Sequence, residues 1–100
     1  MKKGTIVLTR FPFTDFSSGK RRPAIVISAE NENKSDVIIA FISSVIPADF
    51  LPADLLLSQD DPDFPETRLH KTSVIRLDKI LTIEKELIHG EIGNLPAKPN

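Results

Sequence analysis

The chain contains no cysteine, which excludes disulfides and thiolate-bound metal and fits a cytoplasmic protein. Its only histidines are His70 and His89, too few for a histidine-rich metal centre. No window of about 18 apolar residues occurs, so no helix is expected to span a membrane. Lys2 and Lys3 are not followed by a long apolar stretch, and no signal peptide is expected. The formal net charge is only −1, which argues against a sequence-blind binder resting on many phosphate contacts. Internal repeats and low-complexity linkers are missing. So are a Ser/His/Asp constellation, a phosphate-binding glycine loop and a metal motif. No metal and no cofactor is therefore expected.

What remains is an ordinary globular composition, 40% hydrophobic and 27% charged over 100 residues. That length supports one small domain with one core, here placed at residues 1–95 with 96–100 as a frayed tail. The charges are segregated. Lys2 to Arg22 carries six cations against the single anion Asp15, while Asp49 to Glu66 carries six anions and no cation. A basic face beside an acidic loop follows, whatever the net value.

Thr5-Ile6-Val7-Leu8 is rich in β-branched residues and reads as a strand ending near Pro12. Pro23 to Ser28 and Val37 to Ser44 are almost continuously apolar, as strands buried on both faces are. Asp54 to Leu57 reads as a fourth strand. Ser73 to Leu77 and Lys79 to Ile83 read as a fifth and sixth, separated by a break at Asp78. Pro47 and Pro52 bracket a turn with one or two anchoring side chains, and Ser58 to Thr67 reads as an acidic surface loop. Glu84 to Ile92 shows a weak helical spacing that Gly93 would stop. Short strands with turn signals between them predict a mainly β sandwich or small barrel.

The stretch Thr9 to Ser28 organises this pattern. A first strand leads to Phe11-Pro12-Phe13, a polar loop Asp15 to Gly19 follows, and Lys20, Arg21 and Arg22 then feed directly into Pro23-Ala24-Ile25-Val26-Ile27. A cation rooted at the end of a buried strand is held more firmly than one on a loop. A guanidinium fork there suits a phosphate. The start G-x-I-V-x-x-x-F-P-F, the basic-R-P-A-hydrophobic strand and the downstream run Leu69-His70-Lys71-Thr72-Ser73-Val74-Ile75-Arg76-Leu77-Asp78-Lys79-Ile80 together resemble the PemK/MazF toxin family, in the family's order.

The resemblance implies a small SH3-like barrel of the PemK/MazF/CcdB type with short helices. It also implies a metal-independent, sequence-selective endoribonuclease that cleaves single-stranded mRNA. In that reaction the 2′-hydroxyl attacks the adjacent phosphate, leaving a 2′,3′-cyclic phosphate and a 5′-hydroxyl. The partners implied are the RNA substrate, a second copy in a homodimer, and a cognate antitoxin with which the toxin also binds DNA. Family members usually continue into a final helix. Here Pro96-Ala97-Lys98-Pro99 stands instead, and two prolines in four residues do not sustain one.

Residue by residue, Arg22 matches a catalytic arginine of the family, expected to stabilise the phosphorane and a candidate to donate a proton; a solvated charge at a strand edge is the other reading. Ser43 falls where the family has a catalytic threonine, keeping the hydroxyl and losing the methyl that restricts its rotamers. Ser44 would replace it under a one-residue shift, on the opposite side. Arg76 and Asp78 match an R-x-D pair, one positioning phosphate and the other handling a proton; the alternative is an i, i+2 ion pair at a turn. Lys20, Arg21, His70, Ser73 and the loop residue Phe16 are candidate RNA contacts, with Phe11 and Phe13 as further stacking surfaces or core. A non-catalytic β-barrel binding module with the toxin fold is the rival reading, and gyrase inhibition on a related fold a third.

Overall fold

A computed structural model describes residues 1–10 and 21–96. Phe11, Pro12, Phe13 and the loop Thr14 to Gly19 lie outside the described residues, as do residues 97–100. The described chain forms β1 (Thr5–Thr9), β2 (Arg22–Val26), β3 (Asp36–Ser43), β4 (Asp54–Leu57), α1 (Phe64–Thr67), β5 (Ser73–Glu84), a short 3-10 helix (Lys85–Leu87) and β6 (Gly90–Asn94). The strands make one curled antiparallel sheet in the order β4-β5-β3-β2-β1-β6. The mainly β class expected from the strand pattern is what forms. Among the described residues no helix is long and apolar enough to cross a membrane.

The near-continuous apolar strands have the consequence anticipated for them. Alternate side chains leave opposite faces of a strand, and both faces here meet a core. On one face lie Ile6, Ile25, Ala40, Ile42, Leu57 and Ile75, closed over by Phe64 of α1. On the other lie Val7, Ala24, Val26, Val37 and Ile39, joined by Phe41, Leu81 and Ile83. Ile6, Ile39 and Ile42 are at most 1% exposed, and each fully buried side chain of this size contributes roughly 1.5–3 kcal/mol.

Three expectations are corrected. Asp78 does not end a strand: β5 runs unbroken for 12 residues. Its register against β3 jumps, from Phe41↔Arg76 to Ala40↔Ile80, leaving Leu77, Asp78 and Lys79 without β3 partners. An odd number of extra residues inverts the alternation. Val74 and Arg76 therefore share a face with Leu81 and Ile83, although odd spacing separates the two pairs. The apparent break was this change of phase.

Secondly, Glu84 to Ile92 is not helical beyond the single 3-10 turn, and Gly93 does not stop a helix. It sits inside β6 opposite Ile6. The weak spacing of Leu87, Ile88 and Ile92 reflects one exposed residue and two that pack on different cores. Leu87 is 58% exposed, Ile88 joins the second core and Ile92 the first. Thirdly, the acidic loop contains α1. Pro65 occupies its first turn, where a missing N–H costs nothing, and Asp61 Oδ1 accepts the Asp63 N–H at 2.9 Å just before it. The turn between Pro47 and Pro52 is anchored by a carboxylate rather than by its apolar side chains: Phe50 and Leu51 are 43% and 47% exposed, and Asp54 Oδ2 accepts the Leu51 N–H at 2.8 Å.

Candidate functional site

The sheet gathers the sequence-predicted residues by register. Thr9 pairs with Arg22 and Ala24 with Phe41. Arg22 lies two residues before Ala24 and Ser43 two beyond Phe41, so both project from one face at one end of the sheet. Ser43 pairs with Val74, and Phe41 with Arg76. Arg76 is thus the diagonal cross-strand neighbour of Ser43, a relation that puts Cα atoms roughly 7–8 Å apart.

At that end a cleft of about 560 Å³ opens, lined by residues that include Arg22, Ser43, Arg68, His70, Lys71 and Ser73. Its volume lies in the range of small-ligand pockets. The floor is apolar, contributed by side chains such as Leu8, Phe41 and Ile92. No carboxylate stands among the described lining residues. Arginine and lysine at the rim, hydroxyls beside them and a greasy floor suit a phosphate flanked by a base.

The rim segment is pinned at both ends. Arg68 ends α1 in the left-handed region with φ 62, its N–H donating to Pro65 O at 3.2 Å. A non-glycine residue stays there only when its surroundings dictate it. Those surroundings are visible. Thr67 is fully buried, donates to Phe64 O at 2.7 Å and accepts the Leu69 N–H at 3.2 Å. Leu69 packs on the first core. At the far end Ser73, 4% exposed, donates its hydroxyl to Lys71 O at 2.9 Å. The Ser73 hydroxyl is therefore engaged with its own loop while its residue lines the cleft.

Gly93 seats the whole segment. A Cβ at position 93 would stand 2.7 Å from Glu66 O and closer still to the Thr67 carbonyl. The end of α1 thus rests directly on β6 backbone. Gly93→Ala is expected to push α1 off the sheet and cost at least about 1–3 kcal/mol, as forced overpacking does. Urea denaturation checks it, and an unchanged midpoint would show that α1 shifts freely.

The Ser43 hydroxyl accepts the Val45 N–H at 3.1 Å and lies 3.5 Å from Val45 O. Arg76 and Asp78 do not line the cleft. Arg76 Nε sits 2.8 Å from Oδ1 of Asp54, whose side chain is wholly buried, and 3.8 Å from Asp78 Oδ1. The closer contact is an ion pair without hydrogen-bond alignment, since neither Nε nor Oδ1 makes a hydrogen bond among the described residues. Arg21 is exposed just before β2 and is not part of the lining. Phe16 and Lys20 lie outside the described residues. Among the described residues no three His, Asp or Glu side chains group so as to hold a metal.

Two cations of the rim, Arg68 and Lys71, were not singled out from sequence, nor was Asp54. The signal for Arg68 was faint. Pro65 marks a helix start, but a four-residue helix has no periodicity to betray its end.

Comparison with known proteins bears on this site. The family model described as PemK-like, MazF-like toxin of type II toxin–antitoxin system matches residues 2–99. No curated protein sequence matches. Among solved structures, an endoribonuclease in complex with its cognate antitoxin from a mycobacterial species superposes with a TM-score of 0.70 at 15% identity. The match covers 96% of this chain and 80% of that one. At that identity the likeness is one of fold.

Proposed function

This chain belongs to the PemK-like, MazF-like toxins of type II toxin–antitoxin systems, and we propose on that basis that it is a metal-independent, sequence-selective endoribonuclease of single-stranded RNA. The observation that carries the reading is the cleft: Arg22 and Ser43 on one face at one sheet end, Arg68 and Lys71 at the rim, and no carboxylate in the described lining. RNA supplies its own nucleophile, so the site needs only to align the 2′-hydroxyl, move two protons and stabilise the phosphorane.

In this reading the Arg22 guanidinium grips the non-bridging oxygens as charge builds on phosphorus. The Ser43 hydroxyl, fixed by Val45, donates to the same group. Arg76, on the adjoining strand, faces the neighbouring phosphate, with Asp78 beside it as a partner. The apolar floor takes one base and its shape sets sequence preference. The protein acts in the cytoplasm as a homodimer. β4 is an outer strand of the sheet, and its Leu55 and Leu56 are about half exposed beside Phe50 and Leu51. An apolar edge with no strand partner among the described residues favours a second copy. An acidic, extended antitoxin segment laid on the cationic rim would exclude RNA by the charges that bind it.

The test is cleavage of a long single-stranded RNA in EDTA beside a DNA of the same sequence. Expected are discrete RNA fragments ending in 2′,3′-cyclic phosphate and intact DNA. Cutting of DNA, or of RNA only with added metal, would sink the reading. A non-catalytic binding module is the second reading, favoured by the ion pair that already occupies Arg76; RNA binding with no fragments would select it.

A further inference from the structure

We propose that His70 is the general acid of this cleft, delivering the proton that the departing 5′-oxygen needs. The inference rests on the ribonuclease reading and goes beyond it by assigning a proton donor. Its basis is an inventory. The ionisable side chains in the described lining are Arg22, Arg68, Lys71 and His70. Arginine does not release its proton in proteins, and lysine ordinarily holds its own far above neutrality. Imidazole is the one group of the four whose ordinary chemistry gives and retakes a proton between pH 5 and 8. Asp78 stands outside the lining beside Arg76.

Placement supports the role. His70 is exposed and lines the cleft, so a substrate there and water both have access to it. Its backbone is nonetheless held. The Leu69 N–H is bonded to the buried Thr67 on one side, and the Lys71 carbonyl to Ser73 on the other. A general acid must be within hydrogen-bond reach of its target in a repeatable geometry, and a loop pinned on both sides of one residue provides that.

The step balances as follows. The 2′-oxygen bonds to phosphorus and its proton passes to solvent water. The phosphorus–5′-oxygen bond breaks, and the 5′-oxygen takes the proton from the His70 imidazolium. The products are a 2′,3′-cyclic phosphate and a 5′-hydroxyl, and the imidazole regains its proton from water.

The experiment uses the full chain and a synthetic RNA spanning a mapped cleavage site, made with an ordinary linkage and with sulfur replacing the bridging 5′-oxygen. A thiolate leaves without protonation. Expected for His70→Gln is a slowing of about 10²–10⁴-fold on the ordinary linkage and a rate within about threefold of wild type on the sulfur linkage. His70→Asn is expected to repeat the pattern and provides the measurement if glutamine disturbs the fold. Equal slowing of both substrates, or no slowing of either, overturns the proposal. Wild-type protein that yields no cleavage site to map on long single-stranded RNA overturns the ribonuclease reading itself, a result distinct from either.

Discussion

Asp54→Ala is expected to lower the thermal midpoint by about 12–24 °C, from a loss of about 3 kcal/mol in a domain of this size. The carboxylate is wholly buried and 2.8 Å from Arg76 Nε. Its other oxygen accepts the Leu51 N–H, and the Leu51 carbonyl in turn accepts the Asp54 N–H at 2.9 Å. Alanine therefore strips Arg76 of its nearest counter-charge and unties the turn that carries Phe50 and Leu51. Breaking a buried pair costs about 3–5 kcal/mol because a charge is stranded. The low end applies because Arg76 is 21% exposed and keeps Asp78 at 3.8 Å. The double replacement Asp54→Leu with Arg76→Met removes both charges and is expected to recover most of the loss. Differential scanning calorimetry of the two variants decides it. Equal destabilisation in both would mean that the turn, not the ion pair, carries the energy.

Arg22→Ala is expected to reduce kcat for RNA cleavage by about 10²–10³-fold, the usual cost of removing one donor to a developing oxyanion, with the fold intact. Arg22 begins β2, its side chain is partly exposed and among the described residues no ion pair engages it, so its loss should move stability by no more than about 0.5 kcal/mol. Arg22→Lys keeps the charge but loses the planar fork and is expected to fall between. Single-turnover kinetics on a mapped substrate separate a kcat effect from one on KM. Full activity in the alanine variant would place the phosphate away from β2.

How far the site was legible in the sequence differs residue by residue. Arg22 and Ser43 were accessible because each terminates a strand whose apolar run is written in consecutive residues; alternation then sets the face. His70 and Ser73 were accessible because they lie in the short run before β5. Their division of labour was not: whether a serine hydroxyl faces substrate or its own loop is decided by a carbonyl that only the folded chain brings near. Arg76 carries the clearest lesson. Its R-x-D spacing pointed to Asp78 as the partner, but the nearer carboxylate is Asp54, 22 residues earlier and on another strand.

The sequence alone determined the mainly β class, the buried strands β2 and β3, and the basic mouth of β2. These are consequences of local composition and of a two-residue period, both read from neighbours in the chain. Tertiary structure alone decided that β5 is continuous across Asp78, that α1 lies on Gly93, and that Arg68 and Lys71 join Arg22 at one cleft. Register, close backbone approach and the burial of Asp54 against Arg76 are relations between distant segments. Their energies exist only once the strands have paired, so no local pattern encodes them.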